Sequence, residues 1–220
     1  LGKSTSHSEI SSEILSVNSG GGGESPVLQT PKIPSDKPIQ ILQGALICTP
    51  LDDIVAGPNS GLIYIGENTI IHPKVILESG PNSGGIYIGK NNIIEEKVKI
   101  VNYGKQELVI GDYNWIQSSC TIESQMIGHR NLIEPRVVLE RLSEVENDCH
   151  IGANCTIKST ECILNNTSVL GSNCQQFTLD PNDPHAKMLR TKHVETMEKQ
   201  YEHLSQVLKP LKNSRLIGIK

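Results

Sequence analysis

Eight branched aliphatic residues stand six apart without a miss: Ile127, Ile133, Leu139, Val145, Ile151, Ile157, Ile163 and Val169. A helix cannot use this spacing, because steps of six on a 3.6-residue turn scatter side chains around the cylinder. A simple strand wants period two, and a gap of six leaves room only for a short strand and a turn. The pattern fits a chain that coils round a prism, with one flat face and one corner per repeat. This is the hexapeptide form of the parallel β-helix, in which no repeat can bury its apolar face alone.

The same register extends backward as Ile110, Ile116 and Ile122, then Ile88, Ile94 and Ile100, then Ile65, Ile71 and Leu77, and more faintly as Ile41 and Ile47. Three hexads make one coil, so residues eighteen apart should stack in columns. The first column reads Ile65, Ile88, Ile110, Ile127, Val145, Ile163. The second reads Ile71, Ile94, Ile116, Ile133, Ile151, Val169, and the third Leu77, Ile100, Ile122, Leu139, Ile157. Breaks in the count fall where the third face hands over to the first, which is where a solenoid tolerates loops. About seven coils at roughly 4.8 Å each predict a rod of roughly 34 Å. GPNSGLIYIGENTIIHPKVILES (57–79) aligns without gaps on GPNSGGIYIGKNNIIEEKVKIVN (80–102), one coil plus a five-residue excursion. Gly66, Gly89, Gly111, Gly128 and Gly152 each follow a ladder aliphatic. Asn68, Asn91, Asn114, Asn131 and Asn154 are expected to take the left-handed corner conformation.

Aromatic residues make up only 3% of the chain, which suits a narrow prism better than a globular core. A net charge of −4 provides no basic patch for nucleic acid, and no apolar run reaches the length of a membrane span. The first residues lack a basic stretch followed by an apolar one, so no signal peptide is expected. Three regions follow: a Ser/Gly/Pro-rich tail over 1–38, expected to be disordered; a left-handed β-helix domain over 39–176; and a C-terminal helix over 184–211 packing on the solenoid. Asp183 and Pro184 form its N-cap and first-turn pair, Pro210 stops it, and Val194, Met197, Tyr201, Leu204, Leu208 and Leu211 form its apolar stripe.

Two enzyme classes use this scaffold, so histidine decides whether chemistry is expected. Acyltransferases of the class place a His as general base between subunits. Carbonic-anhydrase relatives share three metal-binding His across a trimer interface, with a Gly-His followed five residues later by another His. Here Gly128-His129 is followed by Glu134, and the third ligand position falls at Ile93 or Ile94. His72 and His150 lie at other positions, and the excursions at 78–87 and 101–109 contain no His. His129 therefore reads as a solvated corner residue, and Glu95, Glu96, Glu134 and Glu140 as exposed face residues. Cys48, Cys120, Cys149, Cys155, Cys162 and Cys174 make no CxxC pair; Cys120, Cys149 and Cys155 should point inward as free thiols. No catalytic residue, cofactor or metal is expected.

The stretches IYIGENTIIHPKVILESG (63–80), IGKNNIIEEKVKIVN (88–102) and LVIGDYNWIQSSCTIESQMIGHRNLIE (108–134) resemble the dynactin subunit 6 family in kind and in order, and the likeness runs from about Ile41 to Leu211. The resemblance implies a non-catalytic subunit of the dynactin pointed-end complex, cytoplasmic and cytoskeleton-associated, serving dynein–dynactin cargo transport. It implies pairing with dynactin subunit 5, itself a hexapeptide β-helix, beside the pointed-end actin-related protein and the large zinc-containing subunit. GPNSG between Ile47 and Ile65 has no counterpart in the family. Candidate partner contacts are Pro81, Asn82, Tyr103 and Lys105 on the excursions, and Met197 and Tyr201 on the helix. The alternative is an enzyme like the γ-carbonic anhydrases or the hexapeptide acyltransferases.

Overall fold

The computed structural model describes residues 39–209. The tail over 1–38 and Leu211 lie outside the described residues, and the helix expected to run to 211 ends at Val207, with Leu208 extended. Three parallel sheets form the walls of a triangular β-helix. The first is built by Ile39–Ile41, Ile63–Ile65, Ile86–Ile88, Leu108–Ile110, Met126–Ile127, Glu144–Val145 and Cys162–Ile163. The second is built by Leu46–Ile47, Ile70–Ile71, Ile93–Ile94, Trp115–Ile116, Leu132–Ile133, His150–Ile151 and Thr167–Leu170. Ile54–Ala56, Ile76–Ser79, Lys99–Asn102, Thr121–Ile122, Val138–Leu139 and Thr156–Ile157 build the third.

Each ladder aliphatic pairs with its equivalent one coil away. Ile133, for example, lies between Ile116 and Ile151, and none of the three is solvent-accessible. All three expected columns are present and form one continuous core. Two details differ from the expected count. Six coils are complete and a seventh lacks its third face. After Thr167–Leu170 the chain turns through Gly171 (φ +79°) and Cys174 (φ 49°), and Gln175–Thr178 returns antiparallel along the second face. At the other end the third column gains Ile54, paired with Leu77. Seven residues separate it from Ile47, and a 3-10 turn at Leu51–Asp53 absorbs the extra one.

Corner geometry follows one rule. Where the six-residue spacing holds, the third residue after a ladder aliphatic takes positive φ and the fourth points inward; the corners after Ile47, Ile54, Leu77, Ile100 and Ile122, where the spacing departs from six, turn differently. Asn68, Asn91 and Asn154 occupy the third position as expected, but Tyr113 and Arg130 take it where Asn114 and Asn131 were expected. Those two asparagines fall one residue later and are buried. The inward fourth residue is Val75, Val98, Cys120, Val137 and Cys155 at one corner, which explains why those cysteines are buried in the core.

The helix α1 (Pro184–Val207) starts where expected, with the Asp183 carboxylate accepting the His185 N–H at 2.7 Å. It runs back along the second face, so that Met197, Tyr201, Leu204 and Leu208 pack on Leu46, Ile70, Ile93 and Trp115.

Burying an isoleucine contributes roughly 1.5–3 kcal/mol, and an unpaired carboxylate in the same place adds a desolvation cost. Ile133→Asp should therefore unravel coils locally and lower the melting temperature by several degrees. A midpoint within a degree or two of the wild type would contradict the register.

Candidate interaction surfaces

The polar groups at the corners are used to join coils. Asn92 Oδ1 accepts the Asn114 N–H at 2.8 Å, Asn114 Oδ1 accepts the Asn131 N–H at 2.9 Å, and Asn131 Oδ1 accepts the Cys149 N–H at 2.8 Å. The Asn92 and Asn114 amide groups donate to the Gly111 and Gly128 carbonyls. Thr69 begins this ladder by accepting the Asn92 N–H. The carboxylates act in the same way. Glu95, Glu134, Glu140 and Glu146 accept the backbone N–H of Ser118, Ala153, Ser159 and Asn165, each one coil further on, at 2.8–3.0 Å. Glu95 also receives the Trp115 indole N–H, and Glu134 lies 2.8 Å from His150 Nε2. Glu95, Glu134 and Glu140, read from sequence as simple face residues, are corner ties.

His129 is half-buried and less solvated than expected. Its Nδ1 accepts the Asp112 N–H at 2.8 Å, which occupies the lone pair a metal would need. Glu134 stands where the second histidine of a shared metal site would be, and Ile93 and Ile94 are buried where the third would be. Among the described residues no group of three His, Cys, Asp or Glu is placed to hold a metal ion. Burial pushes the Cys120 and Cys155 thiols up to about 11 and Cys149 to about 12, so all three remain protonated at neutral pH. Cys162 is exposed on the first face.

The excursions make a layered wall at one corner. Gly57 and Gly61 donate to the Ser79 and Ser83 carbonyls, and Gly80 and Gly84 to those of Asn102 and Gly104, all at 2.7–2.9 Å. The GPNSG of the first coil is thus the bottom layer of the same wall. Asn102 buckles the top layer, donating to the Gly85 and Gln106 carbonyls and accepting the Gly104 N–H. The Tyr103 ring lies across Gly80, where a Cβ would collide with it, and its hydroxyl donates to the Glu78 carboxylate. The structure brings Pro81, Asn82, Tyr103 and Lys105 to this one wall, all exposed, with Tyr103 at 55%. Met197 and Tyr201 are elsewhere. Met197 is 2% exposed against Ile70 and Ile93, and the Tyr201 hydroxyl donates to the Gly44 carbonyl at 2.9 Å. Both hold α1 on the rod; the burial of Met197 removes it from the candidate partner contacts, whereas Tyr201 stays partly exposed. Sequence reasoning also passed over Tyr64 and Tyr87, stacked on the first face with ring centres 4.7 Å apart. Their signal was the IYI shared by the two tandem repeats.

No family model matches the chain. Among named relatives, dynactin subunit 6 of Dictyostelium discoideum is 33% identical over 164 residues, covering 73% of this chain and 74% of that protein. The chain belongs to the dynactin subunit 6 family. Dynactin subunit 6 of Danio rerio is 29% identical over 183 residues, covering 79% of this chain and 90% of the relative. A solved hexapeptide transferase family protein of Anaplasma phagocytophilum shares the fold at 12% identity. Its TM-score is 0.52, with 78% of this chain and 99% of that one covered. Among the described residues no helix is long and apolar enough to cross a membrane.

Histidines of the rod and of α1 set an acid response. Burial holds His72, His129 and His193 below the ordinary imidazole range. Their unfolded values lie near about 6.5, so just below that pH the unfolded chain binds more protons than the folded one. Their contribution is present in full above about pH 6.5 and is lost as pH falls. Glu134 is held low, chiefly by His150, so its own loss comes only in stronger acid. The thermal midpoint should fall between about pH 7.5 and 5.5. His193→Gln, which keeps a donor toward the Tyr113 carbonyl (2.8 Å from His193 Nε2), should flatten the slope. A pH-independent midpoint over that range would contradict this reading.

Proposed function

We propose that this chain is a non-catalytic subunit of the dynactin pointed-end complex. In this role it pairs with dynactin subunit 5 beside the pointed-end actin-related protein and the large zinc-containing subunit. The complex is cytoplasmic and cytoskeleton-associated, and it supports dynein–dynactin cargo binding and microtubule-based transport. The observation that carries the proposal is the family similarity, which spans most of the chain. The corner chemistry agrees with it: asparagines and glutamates whose hydrogen bonds join coils stand along the rod where an enzyme would need free acid, base or metal ligands.

The excursion wall is the proposed contact for subunit 5. It is rigid, because its backbone donors are paired layer on layer. Pro81, Asn82, Tyr103 and Lys105 stand out from it, and loops on a rigid scaffold are common contact surfaces. A pre-ordered wall loses little conformational entropy on docking.

Alone, the chain should be monomeric or weakly self-associating, and co-expression with dynactin subunit 5 should give a one-to-one complex. Combining Asn82→Gly, which suits φ 55°, with Tyr103→Ala and Lys105→Glu should weaken that complex about tenfold or more. The circular-dichroism spectrum should not change. A stable homotrimer, or a complex indifferent to the triple variant, would overturn the proposal.

A further inference from the structure

Outward-facing residues on the second face form a row set by the strand register: Leu46, Ile70, Ile93, Trp115, Leu132, His150, Ser168 and finally Phe177. α1 covers this row unevenly. Over the first four members, Met197, Tyr201, Leu204 and Leu208 seal the contact. Beyond Trp115 the row becomes smaller and more polar, and α1 presents Ala186 and Thr196 to it. Polar struts hold the helix here: His193 Nε2 lies 2.8 Å from the Tyr113 carbonyl, and Arg190 donates to Asn166 Oδ1 at 2.6 Å and to the Pro181 carbonyl at 2.9 Å. A cleft of ≈ 350 Å³ remains, with Trp115, Leu132, Leu179 and Leu189 among its walls.

Three further observations converge on its mouth. Phe177, the only phenylalanine of the chain, is 53% exposed, as is Leu189, so apolar surface continues from the cleft onto the rod end. Gln175–Thr178 is the last strand of its sheet and exposed throughout. It carries no charge and no proline, the features that usually block edge pairing. The charge at the mouth is positive in a chain of net −4. Arg130 is neutralised by Asp148 at 2.6 Å, but both bonds of Arg190 go to neutral oxygens. Lys192, which also lines the cleft, has no carboxylate partner among the described residues.

We propose that the cleft mouth and the free edge of Gln175–Thr178 together dock an extended segment of a partner protein that carries apolar side chains flanked by carboxylates. The edge offers backbone pairing, the cleft takes an apolar side chain, and Arg190 and Lys192 select negative charge. A second copy of this chain fits poorly, since it would bring the same cations edge to edge. The site is separate from the excursion wall, and the inference rests on the reading of the chain as an assembly subunit.

The test places a photoreactive phenylalanine analogue at position 177, and separately at position 103, in the tagged full-length chain assembled in cells. Crosslinking at 177 should join an extended, carboxylate-rich segment of another protein. Lys192→Glu should cut that yield about tenfold and leave the melting temperature and the crosslinks from 103 unchanged. Crosslinks from 103 with none from 177, or from 177 only to a second copy, would overturn this inference alone, as would a yield indifferent to the charge change. Absence of crosslinks from both positions would count against the assembly reading as well.

Discussion

Everything in this structure depends on parallel backbone pairing between one coil and the next. A coil held only by its own hexads would leave its apolar face in water and its amides unpaired. Stacking resolves both, provided every corner turns by the same amount. That requirement explains the recurring positive φ three residues after each ladder aliphatic that keeps the six-residue spacing, adopted even by the exposed Leu142. Where asparagine fills the position the turn is comfortable; elsewhere the stack imposes it.

The same requirement accounts for the chemistry. An inward corner position can hold an apolar side chain, as Val98 and Val137 do, or a polar one that finds partners along the rod axis. The asparagine ladder from Asn92 to Asn131 takes the second course, and each amide depends on the coil beside it. Glutamates on the outer corners tie successive turns in the same way. Groups that another protein could use for acid–base or metal chemistry are thus engaged in support of the rod. The proposed recognition surfaces are what the stack displays: the excursion wall, and the end where α1 and the last strand diverge.

Much of this was legible in the sequence because period six encodes it directly. The three columns, the stack through Ile133 and the inward cysteines follow from counting alone. What escaped has physical reasons. Ile54 was hidden by a seven-residue spacing that only the 3-10 turn reconciles with the register. Asn114 and Asn131 were misplaced by one residue, because asparagine suits both a left-handed corner and a buried ladder. The third face of the seventh coil was lost to a hairpin that no periodic count anticipates. Met197 and Tyr201 show the limit for sites: an apolar helical stripe looks the same whether it meets a partner or its own rod. The cleft was invisible because its walls come from residues as far apart in sequence as Trp115, Ser168 and Ala186, brought together only when α1 runs back along the second face.

The central claim is that the rod is a rigid, chemically occupied scaffold and that binding is confined to its displayed surfaces. Hydrogen–deuterium exchange of the chain, alone and in complex with dynactin subunit 5, addresses this directly. The account predicts slow exchange at the Asn114, Asn131 and Cys149 amides in both states, with added protection over 80–84 and 103–106. Fast exchange along the ladder in the free chain, or protection centred on the corners of His129 and His150 with none at the wall, would contradict it.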